Sequence, residues 1–339
     1  MATLADVARR AGVSAATVSR IVNGSPKIVS DELRDRVLRA VRELRYVPNA
    51  HAQLLARSHR TTVGVIVHDV SDPYFAEITR GLQRVASERG RLVIICNSYR
   101  DPDRELEYVE LLRAQQVEAI ILAGSGYHDH AFTKELNAKL SAYLATGGRV
   151  SVVGRHKLAG DAVMPANEQG GYLIGSAVFA LGHRHVGVVA SPKLLTTTTD
   201  RLAGLRRAAR EHHRTLPSRR IEYATFDRDG GAAGTEALLS ADPRLTAIVA
   251  LNDSMAIGAL AVLRARGLTV PADVSVVGFD DMPIARDVTP PLTTIRLPLV
   301  EIGARAIGLA LDTARPRPRV EEAAATLVER ESLAPPREA

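Results

Sequence analysis

The chain has 339 residues, enough for two compact domains and a small appendage, and with 46% apolar and 24% charged residues it is too apolar for general disorder. No apolar run reaches the roughly 20 residues that cross a bilayer, the opening MATLADVARRAG has no apolar leader core, and the single cysteine, Cys96, excludes an internal disulfide or a thiolate zinc cage. Secreted, membrane and disulfide-scaffold classes are excluded on these grounds, and the expected compartment is the cytoplasm. The net charge of +6 is unevenly placed: residues 1–60 hold eleven Lys/Arg against five Asp/Glu, and residues 61–339 hold 33 of each. That asymmetry suggests a basic module for a polyanion joined to an electrically neutral body.

In chain order, Thr3 can cap a helix whose apolar positions Leu4, Val7, Ala8 and Ala11 share one face, and Gly12 stops it. Ser14 caps a second helix, AATVSRIV, with Val18, Ile21 and Val22 on its inner side, and Gly24-Ser25-Pro26 ends it. Ser30 caps a third, with Asp31 and Glu32 in its first turn and Leu33, Val37, Ala40, Val41 and Leu44 as its buried stripe. Two short helices across a glycine-bearing turn, closed by a third, predict a helix-turn-helix unit; a three-helix protein-interaction module is the blander alternative. Pro48 stops the third helix. The following AHAQLLARS has helix-forming residues over only two turns, which fits either a segment that folds on binding or an ordinary linker.

From Thr61 the pattern changes. Apolar strands at 62–67, 91–96, 118–123, 149–154, 185–190, 221–226, 246–251 and 274–279 alternate with amphipathic helices such as Tyr74–Arg89, Arg104–Gln115 and Ser254–Arg266. Continuous Val/Ile runs between helices predict parallel sheets covered on both faces, and eight strands predict two doubly wound α/β lobes with a cleft between them. Ligands in such sheets bind beyond the carboxyl ends of the strands, which here carry His68-Asp69, Asn97-Ser98, Gly124-Ser125, Arg155-His156, Phe226-Asp227, Asn252-Asp253 and Asp280-Asp281. Catalytic motifs are thin: there is no dinucleotide or phosphate-binding glycine loop and no nucleophile elbow. The pairs His128/His130, His183/His185 and His212/His213 read as surface or capping histidines, and Cys96 reads as a buried small hydrophobe. Neither a metal nor a cofactor is expected.

The runs TLADVARRAGVSAATVSRIVNG and VRELRYVPNAHAQLLARS, followed by HVGVVA, DRLAGLRRA, LNDSMAIGALAVLRARGLTVPADVSVVGFDD and TPPLTTI, resemble the lactose-repressor family of bacterial transcription regulators over nearly the whole chain. The resemblance implies a DNA-binding domain over 1–47, a hinge helix over 48–60 and a periplasmic-binding-protein-like core over 61–339. Its N-lobe would take about 61–161 and 292–320, and its C-lobe about 162–291 and 321–339. It further implies that Ala15, Ala16 and Arg20 read bases in the major groove, while Thr3, Ser14, Thr17, Ser19, Asn23 and Ser30 contact phosphates. The two alanines offer no hydrogen bond, so Arg20 should carry most of the direct readout. Where relatives have a second hydroxyl three residues after Ser30, this chain has Leu33, which is not carried over.

Asn49, Ala52 and Leu55 align with the family's hinge helix, and Leu55 with the leucine that wedges into the minor groove. For the effector, the resemblance implies contacts from Arg201, Asp280 and Asn252, walls from Tyr74, Phe75, Thr197 and Phe226, and a weaker assignment of Asn167, because Ala166 stands where many relatives have aspartate. The expected function is a homodimeric, sequence-specific repressor on a near-palindromic double-stranded operator, controlled by a small metabolite of the sugar class and without membrane association. The tail ESLAPPREA lacks leucine heptads, so no tetramerising helix is expected. The alternative class is a cytosolic sugar-binding protein or α/β enzyme whose basic head only contacts protein.

Overall fold

The computed structural model describes residues 2–22, 29–46, 61–312 and 317–337. The chain divides into two compact units, 1–60 and 61–339. In the first, α1 (Leu4–Ala11), α2 (Ala15–Val22) and α3 (Asp31–Glu43) enclose a small core of Val7, Ala8, Ala11, Val18, Ile21, Val37 and Ala40. The α1 start is a reciprocal cap: the Asp6 amide donates to Thr3 Oγ1 at 3.2 Å, and the Thr3 amide donates to Asp6 Oδ2 at 2.9 Å. Gly12 ends α1 at φ +64°, a left-handed turn that a side chain would strain. Ser14 caps α2 as expected, accepting from the Thr17 amide at 3.2 Å. Ser30 departs from expectation, since it stands at the start of α3 with its hydroxyl making no cap bond.

The second unit begins with β1 (Thr62–Val67), α4 (Pro73–Glu88), β2 (Leu92–Asn97), α5 (Pro102–Ala114), β3 (Ala119–Ala123), α6 (His130–Ala145), β4 (Arg149–Val153) and β5 (Asp161–Pro165). It continues through α7 (Asn167–Ala180), β6 (Val186–Ala190), α8 (Thr196–Glu211), β7 (Ile221–Tyr223), α9 (Arg228–Ala241), β8 (Ala247–Ala250), α10 (Asp253–Ala265) and β9 (Ser275–Val277). The chain ends with β10 (Thr294–Arg296), α11 (Leu299–Leu311), β11 (Val320–Ala323) and β12 (Thr326–Val328). One sheet has the order β11-β5-β4-β3-β1-β2, the other β7-β6-β8-β9, and every neighbouring pair in both is parallel. The antiparallel pair β10-β12 is tied to the second sheet through bridges at Val277–Thr293 and Asp280–Arg296.

All eight expected strands are present, within one or two residues at most ends and shorter at their C-termini in the second lobe. β5, β10, β11 and β12 were not read from the sequence: they are three to five residues long, and β11 is VEEA, with two glutamates on a sheet edge. β5 and β11 both belong to the first sheet, so that lobe extends to Pro165 and Ala323, a few residues past the expected 161 and 320. The chain therefore passes between lobes three times, from β5 to α7, from β10 to α11 and from β11 to β12.

Helices α7 and α8 pack at backbone contact. A Cβ at Gly171 would lie 2.1 Å from the Arg201 carbonyl, and one at Gly204 would lie 1.9 Å from the Glu168 carbonyl. That approach brings Arg201, on α8, beside Asn167, the first residue of α7. Two minor expectations are corrected here. His183 is fully buried, with Nδ1 bonded to Thr246 Oγ1 and Nε2 to the Ala334 carbonyl, both at 2.9 Å, so it pins the C-terminal tail. Cys96 is half-buried, because β2 is an edge strand.

Candidate functional site

On the first unit, the apolar side of α2 is committed to the core through Val18 and Ile21. The opposite side is open: Ser14, Ala15, Ala16 and Arg20 are exposed, while Thr17 and Ser19 are half-buried. Thr3 and Ser30 are exposed as well. The Ser14 and Thr17 hydroxyls lie 2.9 Å apart at the start of α2, where backbone N–H groups favour an anion. Among the described residues of this unit, Arg9 pairs with Asp6 and Arg10 with Glu43, while Arg20, Arg34, Arg36, Arg39, Arg42 and Arg45 form no ion pair. Uncompensated guanidinium groups beside a slender helix with two alanines at its leading end can approach a duplex closely. Asn23, Asn49, Ala52, Leu55 and the 48–60 hinge lie outside the described residues.

Between the lobes of the second unit lies a narrow cavity of about 20 Å³. Tyr74, Phe75, Thr197, Arg201, Phe226, Asn252 and Asp280, all expected from the sequence, line it together with His68, Asp72, Arg100, Gly124, Ser125 and Leu195. Phe226, Asn252 and Asp280 follow β7, β8 and β9, where the strand-end rule looks for ligands, and Tyr74, Phe75, Thr197 and Arg201 come from α4 and α8. Asn167 does not line the cavity. Its Oδ1 accepts from Arg201 Nε at 2.9 Å, which makes it a support for the arginine.

Arg201 is the largest fully buried side chain among the described residues, 1% exposed. Its Nη2 donates to Asp280 Oδ1 at 2.8 Å, its Nη1 to the Leu251 carbonyl, and its guanidinium lies 3.7 Å from the Phe279 ring centroid. Each guanidinium nitrogen thus has a partner in its own lobe. Burial pushes Asp280 up to about 7 despite Arg201 beside it. Burial also raises the neighbouring Asp253 well above the usual carboxylate range, with its oxygens accepting from Thr294 Oγ1 at 2.6 Å and the Met282 amide at 2.7 Å. Asn252 Oδ1 caps α10 through the Met255 amide at 2.7 Å, so its amide –NH₂ is the end offered to a ligand.

Beyond Tyr74 and Phe75, which the resemblance implied, the N-lobe wall was not anticipated. His68 and Glu105 are buried, with Nε2 3.2 Å from Oε1, and Tyr127 donates its hydroxyl to the same oxygen at 2.8 Å. Asp72 caps α4 by accepting from the Tyr74 amide at 3.0 Å, and its other oxygen lies 3.5 Å from Arg100 Nη2. Burial raises Asp72 above its ordinary value. His68, Asp72 and Arg100 sit in loops after β1 and β2, Glu105 on α5 and Tyr127 after β3, without periodicity, and the only sequence signal was the position of His68 at a strand end. Among the described residues no His/Cys/Asp/Glu cluster could hold a metal ion, and no helix is long and apolar enough to cross a membrane.

Residues 3–49 match the bacterial regulatory proteins of the lacI family, and residues 177–333 match the periplasmic binding protein-like domain. The chain is 35% identical to the HTH-type transcriptional regulator GalR of Salmonella typhimurium, over 99% of this chain and 97% of that one. It belongs to the LacI family. Among solved structures, the lac repressor dimer bound to operator and the anti-inducer ONPF superposes with a TM-score of 0.84 at 27% identity, covering 98% of this chain and 99% of that one. A complex of the transcriptional regulator CelR with cellobiose gives 0.71 at 31% identity, covering 98% and 100%. This LacI-family chain is a DNA-binding transcriptional repressor under small-molecule control, and not an enzyme. The alternative of a sugar-binding protein or enzyme with a protein-binding head gives way to that finding.

Proposed function

We propose that this LacI-family chain acts in the bacterial cytoplasm as a homodimer on a near-palindromic operator, and that a sugar-class metabolite bound between its lobes sets the operator affinity. The observation that carries the reading is the interlobe cavity, where two Arg–Asp couples and the rings of Tyr74, Phe75 and Phe226 converge. A ligand there touches both lobes, so its binding energy acts directly on their relative angle. Coupling of about 1–3 kcal/mol to DNA binding is enough for control.

Support for the dimer comes from β2. This free edge strand of the first sheet exposes Leu92 (67%) and Ile94 (36%) on one face and Ile95 (36%) on the other, apolar surface that pairing with a second copy would cover. Two copies then present two α2 helices about one helical turn of DNA apart. Under this reading Ala15, Ala16 and Arg20 face bases, Thr3, Ser14, Thr17, Ser19, Asn23 and Ser30 face phosphates, and Leu55 wedges a central step at a few kcal/mol of unstacking, recovered through contacts with kinked DNA.

The test is a gel-shift titration of the full chain against a randomised operator library at several salt concentrations. A palindromic winner with a steep salt slope is expected, shifted by one or more neutral sugars. Binding no tighter than to random duplex would refute it. For the wedge, Leu55→Ala should lose specific affinity far more than non-specific affinity, and equal losses would sink that assignment.

A further inference from the structure

The cavity contains two Arg–Asp couples, one on each lobe, and they differ in how fully they are satisfied. On the C-lobe, Arg201 has every nitrogen bonded within its own lobe. On the N-lobe, Arg100 and Asp72 stand apart at 3.5 Å, and Arg100 Nε is buried without any hydrogen-bond partner. A buried donor in that state costs free energy that an arriving acceptor would recover.

The backbone independently singles out the same residue. Tyr99 and Arg100 both adopt left-handed conformations, at φ +55° and +60°, which ordinary side chains avoid. This turn projects the Arg100 guanidinium across the cleft, 5.5 Å from the ring centroid of Phe226 in the opposite lobe, whose ring also lies 6.0 Å from Arg201. Phe226 thus stands between the two guanidinium groups, and Tyr74 lines the same cavity.

We infer that Arg100 and Asp72 form the N-lobe half of a two-ended hydroxyl clamp, which selects a neutral ligand carrying adjacent hydroxyls at both ends. The inference rests on the sugar-sensing reading above and adds which residues choose the ligand. A hydroxyl donates one hydrogen bond and accepts others, so two neighbouring hydroxyls match a carboxylate beside a guanidinium. With both carboxyls ionised, as Asp280 is above about pH 7, two arginines against two aspartates leave the lining balanced, so an additional carboxylate or phosphate would lie against Asp72 or Asp280. Because the C-lobe couple is already satisfied, the contact that distinguishes ligands falls to Arg100 Nε.

The test is isothermal titration of the full-length chain with the D-aldopentoses, D-aldohexoses and cellobiose, alongside the corresponding uronates and terminal phosphates. The wild type, Arg100→Gln and Arg100→Lys are compared. The expected result is binding of a neutral sugar that weakens about tenfold or more in both variants, because lysine restores the charge but not the Nε–H. Full affinity in Arg100→Lys would show that charge alone matters and overturn the clamp, as would equal affinity in all three proteins. Tighter binding of a uronate or phosphate would overturn the neutral-ligand inference while leaving sugar sensing intact. Silence of the wild type toward every probe would overturn both.

Discussion

Arg201 shows how one side chain can serve both packing and sensing. It is 1% exposed and tied to Asn167, Leu251, Asp280 and the Phe279 ring, so Arg201→Ala would strand the Asp280 carboxyl and leave a void. Removing one member of a buried pair costs about 3–5 kcal/mol, so chemical denaturation should show a loss of that size along with loss of the ligand response. Asp280 adds a pH dependence whose sign follows from its position. Its folded value of about 7 lies above the ordinary 3.8, so between those values the folded chain holds a proton that the unfolded chain has released. The stability this group contributes is present at low pH and is lost as pH rises through about 7. Comparing ligand-free unfolding at about pH 5.5 and about pH 8, the wild type should lose more stability than Asp280→Asn; the same loss in both would refute the assignment.

At the scale of elements, α2 is the part to perturb. Its inner face is fixed by Val18 and Ile21, so Arg20→Ala should leave the three-helix core intact. It should remove about 1–3 kcal/mol of discrimination at one base pair, seen as a relaxed preference in a library gel shift. The α7–α8 pair makes a different prediction. Gly171→Ala would press a methyl group onto the Arg201 carbonyl, and the helices must separate at a cost of about 1–3 kcal/mol, measurable as a lower thermal midpoint. The spacing of Leu4, Val7, Ala8 and Ala11 and the cap at Thr3 made α1 readable because helix periodicity and capping are local properties. The failure at Ser30 has the converse cause: a residue type suited to capping need not turn its hydroxyl inward. Strands β10, β11 and β12 were illegible because three or four residues carry too little pattern, and their partners lie far away in sequence.

For the whole molecule, the two-lobed organisation could be read from eight Val/Ile-rich strands, and the C-lobe face of the cavity from their carboxyl ends. On the N-lobe face, Tyr74 and Phe75 came from the family resemblance and His68 from its strand end, but the Asp72–Arg100 couple could not be read. Asp72, Arg100 and His68 meet only after parallel pairing places the loops following β1 and β2 side by side, which no single segment encodes. The unpaired β2 edge yields the prediction that belongs to this scale. Ile94→Lys would place a charge on that apolar surface, and sedimentation should then report a monomer whose affinity for a palindromic site falls far more than its affinity for a half-site.

The three crossings also bear on how the protein is made. The first sheet is completed only by Val320–Ala323, and the second lobe is tied by Ser332, whose hydroxyl donates to the Val276 carbonyl at 2.6 Å. Neither half of the sensor can therefore finish closing while residues 320–332 remain in the ribosome, whereas the basic head has emerged long before. A message cut short near its 3′ end would yield a finished head on an unfinished sensor, so whatever grip that head has on a duplex would no longer answer to a metabolite.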